Sequence, residues 1–232
     1  MEIVMNIMLS NELQNYIDER EKNVLQIIFP NMKRIYNCVI KYRNAMKVID
    51  KSKFLKIRIC RFEVDLKPFV NLTYLDCSRC GLTTLPYLPD SIKQLNCRNN
   101  KLTTLPELPL VTYLNCAANE ITTLPELPLV TYLDCQFNRL TKLPELPLVT
   151  YLDCCFGGKK ITKLPELPLV IELYCDHIQL TSLPELPSVE KISCSVNQLT
   201  KLPDLPLVTF LNCQHNQLTS LPELPLVKLY RS

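Results

Sequence analysis

The feature that most constrains this chain is a repeat of about nineteen residues that fills roughly two-thirds of it. The stretch LTTLPELPLVTYLNCAANE at 102–120 returns as ITTLPELPLVTYLDCQFNR at 121–139, and again as LTKLPELPLVTYLDCCFGGKK at 140–160. A fixed short period predicts a solenoid, because one repeat cannot bury its apolar side chains alone whereas stacked repeats can.

The full pattern is Leu-x-x-Leu-x-Cys-x-x-Asn-x-Leu followed by x-x-Leu-Pro-x-Leu-Pro. One extra residue enters near Asp90 and Ser91, and two more enter within 157–160, where we expect a local bulge. The copies start at Leu72 (partial), Ile92, Val111, Val130, Val149, Val170, Val189, Val208 and Val227 (truncated).

Each repeat has room for a strand and an extended return path, but not for a helix as well. The segment Tyr113-Leu114-Asn115-Cys116 alternates outward and inward side chains, as a half-buried strand does. Pro109 would lack its donor inside a helix, so the LPELP spacer predicts an extended, polyproline-like segment.

This pattern resembles the leucine-rich repeat family, and the resemblance covers about residues 69–232. The LPELP spacer is similar to that of the short-repeat class found in bacterial effector proteins and in giant-virus proteins. The resemblance implies an α/β solenoid that is mostly β, with an extended convex side: a leucine-rich-repeat horseshoe of about eight coils. It also implies a non-enzymatic recognition module, since such repeats usually bind other proteins.

Residues 1–68 contain no repeat, and their apolar residues recur at helical spacing. We predict a mainly helical N-terminal cap or small domain there, covering the first coil of a solenoid that spans 69–232. At the other end, we expect the charged residues in 228–231 to discourage another strand from pairing with the edge of the last coil. Alternatively, that coil stacks on a second copy of the chain.

Eight of the twelve cysteines form one inward-pointing column, where the repeat family usually has Leu or Val. Free cysteine behaves as a small buried hydrophobe, so we interpret the column as core packing. One alternative is disulfides between adjacent coils, but side chains in register are poorly aimed for the dihedral angle that a disulfide needs. The other is a zinc site at Cys77-x-x-Cys80, but no second pair of ligands lies near it in the sequence.

Cys155 follows the column residue Cys154, so it should face outward as an exposed thiol, near Asp176 one coil later. A Cys-His nucleophile with His177 is the sharper alternative, but strand alternation aims His177 away from this face. We therefore predict no catalytic residue, no metal and no cofactor.

A recurring asparagine should hydrogen-bond backbone groups at the turn between coils, because a buried amide must find partners. This column is interrupted at Cys80, Gly157 and Ile178. It contains Asn100, Asn119, Asn138, Asn197 and Asn216.

Tyrosines flanked by Asp and Asn recur on the outward strand positions, and exposed tyrosine is enriched in protein interfaces. We predict that a protein binds this concave face, although a ladder of duplicated tyrosines without a partner stays open. The candidate binding residues are Tyr74, Tyr113, Tyr132, Tyr151, Asp134, Asp153, Tyr174 and Phe210.

The charge and hydropathy of the sequence argue against nucleic acid and membrane as partners. Residues 1–68 carry 13 Lys and Arg against 8 Asp and Glu, a balance of +5, and residues 69–232 carry 13 against 15, a balance of −2. Without a basic run, we predict no nucleic-acid partner. Without a long apolar segment or a signal peptide, we predict no membrane contact and a cytoplasmic location, in a host cell if the source is a virus or a bacterium that delivers effectors.

The leading functional hypothesis is a non-enzymatic scaffold that binds a protein partner of unknown identity on the concave face. One alternative is a substrate-recruiting subunit of a ubiquitin ligase acting through 1–68, although this segment lacks a persuasive F-box opening. A self-assembling structural protein, joined through the C-terminal coil as a homo-oligomer, is the other.

Overall fold

The computed structural model describes residues 66–67, 69–156 and 161–227, together with the backbone of three more strands. Those strands are β1 (Val24–Ile27), β2 (Lys56–Ile59) and β11 (Leu229–Arg231). Between β2 and β11 each repeat contributes one strand of three residues. These are β3 (Tyr74–Asp76), β4 (Gln94–Asn96), β5 (Tyr113–Asn115), β6 (Tyr132–Asp134), β7 (Tyr151–Asp153), β8 (Glu172–Tyr174), β9 (Lys191–Ser193) and β10 (Phe210–Asn212).

The described strands form one parallel sheet in chain order from β1 to β11. The pairing is in register with the repeat, so that Tyr113 lies opposite Tyr132, and Tyr132 opposite Tyr151. Each repeat position therefore becomes a column, whose members lie about 4.8 Å apart. This arrangement confirms the predicted parallel solenoid of leucine-rich-repeat type.

Backbone hydrogen bonds between coils continue past the ends of these short strands. The Cys116 N–H donates to the Asp134 carbonyl at 2.8 Å, and the Ala118 N–H donates to the Gln136 carbonyl at 2.9 Å. These bonds give partners to the backbone N–H and C=O groups of the turns, which stacking of the coils would otherwise bury without a hydrogen bond.

The LPELP segments carry neither helix nor strand, as the prolines predict. A turn returns the chain to the next strand, with the Val111 N–H donating to the Leu108 carbonyl at 3.3 Å. Leu108 and Val111 are both buried, so the last leucine of the spacer and the valine after the turn both pack into the core of this coil.

The core is built from stacked leucine and cysteine columns between the sheet and the spacers. Leu114, Leu133 and Leu152 are fully buried beneath their strands. All eight column cysteines are buried and none forms a disulfide bond, which confirms that the column packs as small apolar side chains. They are Cys77, Cys97, Cys116, Cys135, Cys154, Cys175, Cys194 and Cys213.

The asparagine column ties adjacent coils together as predicted. The Asn138 side-chain amide donates to the carbonyls of Cys116 and Cys135, both at 3.0 Å, and its oxygen accepts from the Ile121 N–H at 3.0 Å. Asn138 is itself buried, so it satisfies backbone groups that water cannot reach.

Where the column lacks an asparagine, the next coil compensates. Asn197 accepts from the N–H groups of both Ile178 and Leu180, and Asn100 accepts from those of Cys80 and Leu82. Ile178 therefore becomes a fully buried core residue without leaving its own turn unpaired. The third interruption, Gly157, and the predicted bulge at 157–160 lie outside the described residues.

The helical N-terminal cap is not confirmed. Within residues 1–65 the described parts, β1 and β2, are strands that pair with each other and, through β2, with β3. The remainder of that segment lies outside the described residues, and the division of the chain at residue 68 stays a prediction.

Replacing Asn138 with alanine tests the asparagine column. It leaves buried backbone groups without partners, and we expect the free energy of unfolding to fall by about 2–4 kcal/mol. The exposed Gln217→Ala is the matched control, expected to change it by less than about 0.5 kcal/mol. Urea unfolding measures both, and equal losses in the two variants would contradict the proposed role of the column.

Candidate functional site

Three tyrosines form a stacked ladder on the sheet face opposite the core, here called the strand face. The Tyr113 and Tyr132 rings lie 4.4 Å apart at 12°, and the Tyr132 and Tyr151 rings lie 4.3 Å apart at 5°. Each side chain is half-buried by its neighbours. This tyrosine ladder follows directly from in-register pairing, since identical residues at one repeat position must stack.

Tyr174 extends this surface by one coil from the next outward position. Its ring lies 5.8 Å from that of Tyr151, tilted by 47°, and its hydroxyl donates to Glu172 Oε2 at 3.1 Å. Glu172 also pairs with Lys191 at 2.8 Å, and this contact lowers the pKa of the Glu172 carboxyl. Tyr174 is thus oriented by a polar network rather than by stacking alone.

Burial, and secondly the proximity of Tyr113, raises the pKa of Tyr132 to about 12. Burial also raises the pKa of Tyr151, and it raises that of Tyr174. These phenols stay protonated at neutral pH, so each retains a hydroxyl donor at the strand face.

Asp134 and Asp153 lie at the next outward position, beneath the tyrosine ladder. Asp134 accepts from the Asn115 side-chain amide at 3.0 Å, and Asp153 accepts from the Gln136 side-chain amide at 2.9 Å. The sequence predicts an outward-facing row here, and at these positions both carboxylates are less than a tenth exposed. Strand alternation predicts the face on which a side chain lies, but not how deeply its neighbours bury it.

This burial, which disfavours the charged form, raises the pKa of Asp134 and that of Asp153. Neutral hydrogen-bond donors partly offset the effect at both carboxyls, and the charge of Asp134 adds to it at Asp153. Among the described residues, the ion pairs join Glu120 to Arg139 and Glu172 to Lys191. Neither Asp134 nor Asp153 takes part in these ion pairs, although the charge of Arg98 favours the charged form of Asp134.

The prediction that Cys155 is an exposed thiol is wrong. Its side chain lies on the strand face as expected, but it is buried against the neighbouring coil. The sulfur accepts from the Asp176 N–H at 3.2 Å and lies 3.5 Å from Asp176 Oδ2. Burial, followed by the Asp153 charge, raises the pKa of this thiol, the opposite of what a nucleophile needs.

Asp176 holds the next coil in place by way of two serines. Its Oδ1 accepts from the Ser193 hydroxyl at 2.8 Å, and from the N–H and hydroxyl of Ser195, both at 2.6 Å. His177 is exposed at the turn that follows and points into a different ring stack. The catalytic alternative with Cys155 therefore has no geometric support.

The predicted binding residues divide into a central group and two outliers. The tyrosine ladder, Tyr174, Asp134 and Asp153 come together on β5 to β8. Tyr74 on β3 shares the tyrosine column but is separated from Tyr113 by Gln94. Phe210 on β10 is separated from Glu172 by Lys191, so it lies outside the group.

A second aromatic ladder, which sequence reasoning missed, lies at the turn after the strands. The Phe137 and Phe156 rings stack at 4.8 Å and 4°, and Phe156 stacks on His177 at 4.5 Å and 19°. These residues, here called the turn ladder, have φ angles of 53°, 51° and 59°, a left-handed conformation that costs about 1 kcal/mol or more outside glycine. The signal was present in the sequence as aromatic residues in one repeat column.

Neither a metal site nor a membrane span is found in the described part of the chain. No group of three or more His, Cys, Asp or Glu side chains there is arranged to hold a metal ion, including around Cys77 and Cys80. No helix among the same residues has the length and apolar character needed to cross a bilayer.

The raised carboxyl pKa values predict how stability depends on pH. Between the ordinary Asp pKa and the raised native value, the folded state binds more protons than the unfolded state, so the free energy of unfolding falls as pH rises through that window. Replacing both Asp134 and Asp153 with Asn should flatten this fall, and the exposed Asp90→Asn should leave it intact. Urea unfolding from about pH 4 to 7 measures the slope. A slope unchanged in the double variant contradicts the desolvation argument.

Burial also predicts which thiols react. In the native protein, iodoacetamide should label the partly exposed Cys80 well before Cys155 or any column cysteine, because buried thiols with raised pKa form little thiolate. Peptide mass spectrometry after timed labelling measures the order, and unfolding in urea should make the rates converge. Labelling of Cys155 as fast as Cys80 would show that its burial is wrong.

Comparison with solved structures finds several similar solenoids. The leucine-rich effector protein YopM from Yersinia pestis is 31% identical with a TM-score of 0.64, and the alignment covers 85% of this chain and 58% of that one. YopM from Yersinia enterocolitica is 29% identical with a TM-score of 0.46, covering 78% and 51%. The functional domain of InlJ from Listeria monocytogenes, which includes a cysteine ladder, is 28% identical with a TM-score of 0.50, covering 73% and 46%.

The chain thus spans about half the length of these proteins. No protein-family model and no curated protein matches it. The repeat pattern, the in-register parallel strands and the likeness to the Yersinia pestis effector together identify the chain as a leucine-rich repeat protein.

Proposed function

We propose that this chain is a non-enzymatic scaffold that binds another protein on its concave strand face. The observation that carries the proposal is the cluster of half-exposed tyrosines on β5 to β8, whose rings stack into one continuous surface. Tyrosine offers contact area and a polar tip at low rotamer cost, which is why interfaces are enriched in it. The likeness to leucine-rich effectors supports the same class of function.

Stacking by itself is equally compatible with a ladder that only stabilises the sheet. The two interpretations differ in what removal of the rings does. A structural ladder loses stability when it is truncated, whereas a binding face also loses its partner under conditions in which the protein remains folded.

The test replaces Tyr113, Tyr132 and Tyr151 together with alanine and compares the proteins captured from an extract of the source cells. We expect at least one protein that wild type retains to be lost from the triple variant, by about tenfold or more, since buried aromatic residues dominate interface energetics. The matched control replaces the exposed Glu107, Glu126 and Glu145 of the spacers with alanine and should retain that protein.

Circular dichroism and thermal unfolding establish that both variants are folded at the temperature of the capture. An identical set of captured proteins for the folded triple variant and for wild type would remove the strand face from the proposal. Recruitment of a ubiquitin ligase through 1–68, self-assembly through the C-terminal coil and a cytoplasmic location stay predictions.

A further inference from the structure

The turn ladder is an exposed apolar feature that neither the turn nor the core requires. Phe137 is 52% exposed and Phe156 is 42% exposed, although both are large apolar side chains. Earlier coils place Asn99 and Ala118 in the same left-handed position, so the turn forms without an aromatic ring. Exposed apolar groups that cluster in this way are characteristic of interaction surfaces.

Along the chain, acidic positions separate the tyrosine ladder from the turn ladder. Along each strand, the tyrosine position comes first, the positions of Asp153 and Asp176 follow, and the turn ladder comes last. On β6 and β7 this order gives two aromatic borders with an acidic group between them. On β8, where Glu172 takes the first position, Asp176 lies between Tyr174 and His177 in the chain. We call this the aromatic-acidic surface, defined by Tyr132, Tyr151, Asp134, Asp153, Asp176 and the turn ladder.

The charge of this surface is one-sided. Over the outward positions from Tyr113 to Asp176 there are four acidic residues and no basic one: Asp134, Asp153, Glu172 and Asp176. Glu172 has Lys191 as its counter-ion, and the charge of Arg98, in the coil of β4, favours the charged form of Asp134 without forming an ion pair. The hydrogen bonds to Asp134, Asp153 and Asp176 come from neutral donors such as Asn115, Gln136 and the serines of β9 and its turn. The chain as a whole carries a net charge of +3, so the negative face is a local property.

From this charge complementarity we infer that the aromatic-acidic surface binds an arginine-containing segment of a protein partner. The inference rests on the proposed scaffold function and specifies the chemistry of its partner. The guanidinium group is planar, stacks on aromatic rings and donates in a fork that suits carboxylates. A purely apolar partner would bury the three carboxylates further without any compensation, which is costly.

The experiment measures fluorescence anisotropy with labelled synthetic peptides about ten residues long, enough to cross three strands in extended form. Four peptides share one neutral background and carry arginine, lysine, citrulline or glutamate at the same four places. We expect the arginine peptide to bind most tightly, and the citrulline and glutamate peptides, which lack the positive charge, to bind at least about tenfold more weakly. Binding should weaken as salt rises from about 50 to 300 mM.

Three variants locate the binding. Replacing Asp134 and Asp153 with Asn, or Phe137 and Phe156 with Ser, should each weaken the arginine peptide by about tenfold or more. Replacing the exposed Glu107, Glu126 and Glu145 with Gln removes more charge from a different side of the coil and should leave binding unchanged. Thermal unfolding confirms that each variant is folded during the measurement.

Several outcomes would overturn the inference. These are equal binding of the arginine and citrulline peptides, equal binding by wild type and the Asp double variant, or no binding of the arginine peptide at low salt. Tighter binding of the lysine peptide would exclude the arginine-specific form. A dimer in light scattering that dissociates in the Asp double variant would identify a second copy of this chain as the occupant instead.

The inference and the scaffold function fail separately. If cell-extract capture depends on the three tyrosines but is unaffected by the Asp double variant and by salt, the scaffold stands and the arginine chemistry is wrong. If the folded triple variant, with Tyr113, Tyr132 and Tyr151 replaced by alanine, captures every protein that wild type captures, the scaffold proposal itself fails, whatever the peptides show.

Discussion

In-register pairing of parallel strands is the constraint on which the rest of this structure depends. Because Asn115 lies opposite Asp134 and Asp134 opposite Asp153, every repeat position is forced into a column with members one strand spacing apart. A residue type is therefore favourable at a repeat position only if it packs well against the same residue type in the coils on either side. Leucine and cysteine satisfy this condition by packing, and asparagine satisfies it because each amide bridges two coils.

The same constraint makes charged columns costly. Two carboxylates at one repeat position approach each other across neighbouring strands, and burial removes water from around them. The chain moderates this cost with diagonal hydrogen bonds, in which a side chain of one coil reaches the carboxylate of the next, as Gln136 does to Asp153. The fold accommodates these carboxylates, but the surface around them keeps an excess of acidic residues, and a cationic group of a partner would offset that excess.

Much of this architecture could be predicted from the repeat, because period and residue type determine columns and facing. The inward cysteines, the asparagine at the turn and the outward tyrosines follow from spacing alone. How deeply a side chain is buried does not follow from spacing, because the burial of Asp153 and Cys155 depends on the size of the neighbouring side chains in adjacent coils. The conformation of Phe137 was also beyond reach, since left-handed φ values are normally inferred from glycine or asparagine. Helical spacing in 1–68 likewise did not reveal the strands β1 and β2.

The three most similar repeats show where the chain has changed. The segment LPELPLVTYL is identical in all three, but the residues after it read NCAANE, DCQFNR and DCCFGG. The core cysteine is retained throughout, whereas Asn115 is replaced by Asp134 and Asp153, and Ala118 by Phe137 and Phe156. Duplication alone copies every position equally, so the differences require another cause. The differences also include the position of Ala117, Gln136 and Cys155 and the substitution of Gly157 in the asparagine column. The changes to aspartate and to phenylalanine fall on the strand face and the turn ladder, where a partner would make contact.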